Sequence, residues 1–168
     1  MRVAAAVLLA AASVCAGLVL RDTLRRRVQI LSQLCLFLRE VRLRARLHEP
    51  LDVQIASLSE SRELSRLTFL QDCGAFLTQG LPLPQAWTDA VERFLRVHRL
   101  PRAQGEMLLQ CVPALSGADG QRVEGLLELY ETRCAQALDA AVQTDASAGP
   151  LLVRVFAAAG VLLGILIL

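Results

Sequence analysis

The sequence holds no lysine, two histidines, and aromatic residues at only 4% of the chain. All 18 basic residues are therefore arginine, and the net charge is only +2, so nothing calls for nucleic acid as a partner. No glycine-rich phosphate loop exists, which excludes a P-loop ATPase. No stretch sustains a two-residue alternation of apolar and polar residues, so no strand is predicted. Cysteine and histidine never cluster at ligand spacing, so no metal is expected. The five cysteines, at 15, 35, 73, 111 and 134, are odd in number and widely spaced, which is no disulfide framework. They read as small buried apolar residues in a reducing compartment. Glu60 and Glu63 lie on one helix face, but a hydrolase needs a base, an orienting group and a pocket together. The expectation is a non-enzyme with no catalytic residue and no cofactor.

What the chain does have is apolar length. Hydrophobic residues make up 54% of it, concentrated at the two ends. Val3 to Leu20 carries no charge, and Leu151 to Leu168 carries only Arg154, in its first turn. Eighteen helical residues span about 27 Å, close to the ~30 Å of a bilayer core. Residues 1–21 and 149–168 are expected to be two transmembrane anchors around a domain of residues 22–148. Arg21, Arg25, Arg26, Arg27, Arg39, Arg42, Arg44 and Arg46 follow the first run, and only Arg2 precedes it. Basic residues stay on the cytoplasmic side, so the middle domain is expected there in a two-pass membrane protein. The competing reading is a secreted or surface helical interaction module with a cleaved signal peptide and a C-terminal anchor. Against it, the first run is long and ends in arginines, unlike a signal peptide.

The middle reads as about six helices, an all-α bundle flanked by the two anchors. Leu24, Val28, Leu31, Cys35 and Leu38 recur at spacings of four and three and continue the first anchor to about residue 47. Their partner is either another protein or the helix at 121–144. His48-Glu49-Pro50 breaks that helix. A second covers 51–59. The Ser57–Glu60 spacing suits a capping box, so a third is expected to begin there. It carries Leu64, Leu67, Leu70, Cys73, Phe76 and Leu77 and stops at Gly80. Pro84 opens a fourth with Ala86, Trp87, Ala90, Val91, Phe94 and Leu95 on its buried face. A short helix holds Met107 to Leu115, and Asp119 suits the next N-cap. The helix at 121–144 keeps a 3.6-residue period, and Ala146 to Pro150 is expected to be a hinge into the second anchor.

Two groups of residues are candidates for contact with partners. Arg39, Arg42 and Arg46 share a helix face, which is either simply solvated or faces anionic lipid or an acidic surface. Trp87 either packs the core or anchors an interface. In the membrane runs, Ser13 with Gly17 and Gly160 with Gly164 form small-xxx-small pairs that let helices approach closely, or they reflect the ordinary composition of such helices. A homo-oligomer is open on the same grounds.

Leu77, Gly80, Ala86, Trp87, Ala90 and Val91, within the stretch GAFLTQGLPLPQAWTDAVERF, resemble the Leu-x-x-Gly … Ala-Trp-x-x-Ala-Val segment of the stage III sporulation protein AB family. The order of anchor, helical middle and anchor resembles that family over the full length. Glu40 with Pro50-Leu51, and Leu115, Asp119 and Gln121, keep its outline with altered spacing. The resemblance implies a membrane part of the mother-cell-to-forespore channel, in the mother-cell membrane facing the forespore. It implies a middle domain similar to the cytoplasmic domain of type II secretion inner-membrane platform proteins. Its partners would be a cytoplasmic secretion-type ATPase and other stage III sporulation channel proteins.

Overall fold

The computed structural model describes the backbone of residues 2–47, 49–98, 102–116 and 120–167. The side chains of 2–10, 114, 116, 120, 121, 153, 161 and 163–167 lie outside the described residues. Among these residues every regular element is a helix. In order, α1 is Arg2–Ala45, α2 is Leu51–Ser59, a 3-10 turn is Arg62–Leu64, α3 is Thr68–Thr78, α4 is Leu83–His98, α5 is Arg102–Ser116 and α6 is Gly120–Ile167. The chain falls into two compact units, 30–137 in one and 1–29 with 138–168 in the other.

In the unit of residues 30–137, local signals set most of the boundaries. Proline at 50 stands at the N-cap of α2, where its missing donor costs nothing. At the end of α3, Gly80 adopts φ +85°, a conformation that L side chains rarely tolerate. Its N–H reaches the Leu77 carbonyl at 3.0 Å, and the Leu81 N–H reaches the Phe76 carbonyl at 3.2 Å. That is a Schellman closure, as the glycine predicts. Pro84 sits in the first turn of α4, and Ala86, Trp87, Ala90, Val91 and Phe94 are its buried positions.

Three expectations are corrected. No helix starts at the Ser57–Glu60 spacing, because Ser57 lies inside α2 and Ser61 turns to an extended conformation. Leu64 falls in the 3-10 turn and Leu67 caps α3 instead. Their spacing of three residues matches the 3.0-residue period of such a turn better than an α-helix. The helix around Met107 is longer than expected, running from Arg102 with Pro113 inside it. The hinge at Ala146–Pro150 is absent, since α6 runs through Pro150 unbroken. Proline there leaves the Ala146 carbonyl without its helical donor. Ala146 is exposed, so that carbonyl is not sealed in a core. Asp119 and His48 lie outside the described residues.

Among the described residues no helix is long and apolar enough to cross a membrane. The side chains of residues 1–10 and 163–168, which hold much of the two apolar runs, are not among them.

Candidate functional site

Trp87 is fully buried and is a core residue. Its indole N–H donates to the Leu108 carbonyl at 2.7 Å, so burial leaves no polar atom unpaired. Around it, Phe37 stacks at 5.9 Å between centroids and Phe69 meets it edge-on at 5.2 Å. Phe94 in turn meets Phe69 edge-on at 5.1 Å. One aromatic cluster thus ties α1, α3 and α4 together and is hydrogen-bonded to α5.

The arginine face of α1 is taken up largely within the chain. Arg42 Nη1 lies 2.9 Å from Glu131 Oε2, and its Nη2 lies 3.5 Å from Glu128. Arg46 places Nε and Nη2 at 3.0 and 2.6 Å from Glu124 Oε1. The hydrogen bond that Arg42 donates to Glu131 raises the Arg42 pKa. Arg39 is exposed. Glu124, Glu128 and Glu131 are spaced by four and three on α6, as Arg39, Arg42 and Arg46 are by three and four on α1. Antiparallel helices bring such rows together. That matching spacing is the signal in the sequence that would have found the pairing.

Beneath these ion pairs lies a cleft of about 640 Å³ with walls from Val41, Ala45, Leu115 and Leu127. Gln54 also lines it, with only 1% of its surface exposed. Its side-chain N–H donates to the Glu49 carbonyl at 2.7 Å, while its Oε1 has no protein partner. Arg46, Glu49 and Glu124 put charges of both signs among the lining residues, so the cleft suits a neutral group better than an ion.

Nothing in this arrangement joins a nucleophile to a base. Among the described residues no group of three or more His, Cys, Asp or Glu is placed to hold a metal ion. Burial pushes the Cys73 and Cys111 thiols up to about 12, which keeps both protonated and inert. A feature with no local signal is the meeting of Cys35 and Cys134, whose Sγ atoms lie 2.8 Å apart across α1 and α6.

In the other unit, Gly17 and Gly160 are buried and Ser13 is half-buried. Gly149 is buried as well, and a Cβ there would stand 3.8 Å from Arg21 Cγ and 3.2 Å from Asp145 Oδ1. The side chain of Gly164 lies outside the described residues.

Among the described residues, fold and site define an all-helical protein built around an aromatic core and an ion-paired seam. The chain belongs to the stage III sporulation protein AB family, whose model matches residues 2–168. It is a sporulation protein. No curated protein and no solved structure matches it.

Proposed function

We propose that the chain is a non-enzymatic, two-pass membrane component of the stage III sporulation channel, and that residues 30–137 form its cytoplasmic docking domain. In this reading the ends of α1 and α6 lie in the mother-cell membrane facing the forespore. The domain receives a secretion-type ATPase and holds other channel proteins beside it.

The observation that carries the membrane part is a reversal of burial in the unit of residues 1–29 and 138–168. Glycines are inside, while Leu18, Val19, Leu20, Leu151, Val155 and Leu162 expose between 41 and 68% of their surface. The other unit exposes single apolar residues too, such as Leu47 and Val97, so this display supports an apolar surrounding together with the uncharged runs of residues 3–20 and 155–168. The arginines that follow the first run favour the cytoplasm for the domain. The continuity of α1 through residue 21 supports an uncleaved anchor rather than a removed signal.

Docking suits the domain better than chemistry does, since it offers the exposed Arg39 and an open cleft. Cys73, Cys111 and Cys134 are too buried to report its side of the membrane. Exposed positions serve instead. Val97→Cys and Leu129→Cys are expected to resist a membrane-impermeant maleimide in intact cells and to react after lysis. Full-length chain in detergent is expected to retain the sporulation ATPase of the same cell on an affinity column. Labelling in intact cells sinks the orientation, and failure to retain the ATPase sinks the docking role.

A further inference from the structure

We infer that Cys35 and Cys134 are a modification site, a dithiol that closes to a disulfide when it meets a low-molecular-weight disulfide. Three observations carry this. The two Sγ atoms are already 2.8 Å apart, so little movement separates contact from a bond. Cys35 is half-buried and gives the oxidant a way in, whereas Cys134 is fully buried. Cys134 also directs its thiol hydrogen to the Leu31 carbonyl at 3.7 Å, which leaves sulfur lone pairs for Cys35.

The chemistry is ordinary thiol–disulfide exchange. Cys35 gives its proton to water, and its thiolate attacks one sulfur of the oxidant RSSR. The oxidant's S–S bond breaks, RS⁻ leaves, and Cys35 carries a mixed disulfide. Cys134 then loses its proton and attacks Cys35 Sγ. The Cys35–Cys134 bond forms and the second RS⁻ leaves. Two electrons pass from the cysteines to RSSR, and the two protons released are taken up by the two RS⁻ or by solvent. The order of attack follows from exposure. It also agrees with the thiol of Cys134, which the hydrogen bond from Cys35 and then burial hold well above its ordinary range.

The bond would fasten α1 to α6 at one register, within the seam that Arg42 and Arg46 close with their glutamates. It would fix the two long helices of the domain against sliding. It would also close a loop of about 100 residues, of the size that constrains an unfolded chain most.

The test uses full-length protein in detergent micelles, incubated with oxidised glutathione, then quenched, alkylated and mapped by mass spectrometry. The expected result is one linked peptide pair, Cys35 with Cys134, and thiols retained at Cys73 and Cys111. A rise in Tm of about 10 °C, reversed by dithiothreitol, should accompany it. Cys134→Ala should stop at a glutathione adduct on Cys35. Cys35→Ala should leave Cys134 a thiol. Each variant is checked for helicity first; where one fails to fold, wild type oxidised in urea replaces it, and scrambled pairings there show that the fold selects the pair. Persistent thiols at both positions, a stable glutathione adduct on wild-type Cys35, or a bond to Cys73 or Cys111 would overturn the inference.

Discussion

In the unit of residues 30–137 large aromatic side chains fill the core: Trp87, Phe37, Phe69 and Phe94 are at most 2% exposed. In the unit of residues 1–29 and 138–168 the buried positions include Gly17, Gly149 and Gly160, and leucines and valines face outward. On the proposed reading, the same chain solves two different packing problems. In water, burying large apolar surface stabilises a fold at about 25 cal/mol per Å². In lipid that gain vanishes, and close backbone approach through small residues takes its place. The contrast teaches that the two units should respond to opposite kinds of substitution.

The largest effect is expected from Trp87→Ala, which removes the centre of the aromatic cluster and the indole's hydrogen bond to the Leu108 carbonyl. It should cost about 3–5 kcal/mol, read as a fall in the thermal midpoint of the domain. Gly17→Leu should come next, because a large side chain forced into a buried glycine position costs about 1–3 kcal/mol. Its signature is weakened association of the α1 and α6 ends, measured by distance between spin labels, with the domain's own midpoint unchanged. If Gly17→Leu is silent, the small-residue account of this unit is wrong.

Smaller again is Glu131→Gln. Its carboxylate is 2.9 Å from Arg42, with both side chains partly exposed, so the loss should be about 1 kcal/mol and should shrink in high salt. Alkaline pH offers a graded test of the domain core. Cys73 and Cys111 titrate at about 12 in the fold against an ordinary 9.0. A raised folded pKa stabilises fully below the unfolded value and is lost as pH rises, so the domain's Tm should fall between pH 9 and 12. Smallest is Val155→Ala, which should change stability in micelles by less than about 0.5 kcal/mol.

Much of the helical plan was legible because its signals are local. The Gly80 stop, the Pro84 start and the buried face of α4 each rest on a few neighbouring residues. The apparent capping box at Ser57 misled because an N-cap residue must itself leave helical geometry, and Ser57 lies within α2, which continues to Ser59. The Pro150 hinge misled because the cost of one unpaired carbonyl is small where that residue is exposed. Cys35 with Cys134, and Arg46 with Glu124, are 99 and 78 residues apart. Their meeting depends on the register of α1 against α6, which no single segment encodes. Even so, the matching rows of arginine and glutamate held that register in outline.

The central claim, that one unit lies in lipid and the other in water, is tested most directly by spin-label accessibility in proteoliposomes. Labels would be placed singly at Val19, Val155, Val97 and Leu129 on a Cys15→Ser, Cys35→Ala background, all four being exposed valines or leucines. The account predicts that oxygen, which concentrates in lipid, relaxes the labels at 19 and 155 most strongly. A water-soluble nickel chelate should relax those at 97 and 129. Equal access of the nickel chelate to all four positions would contradict it.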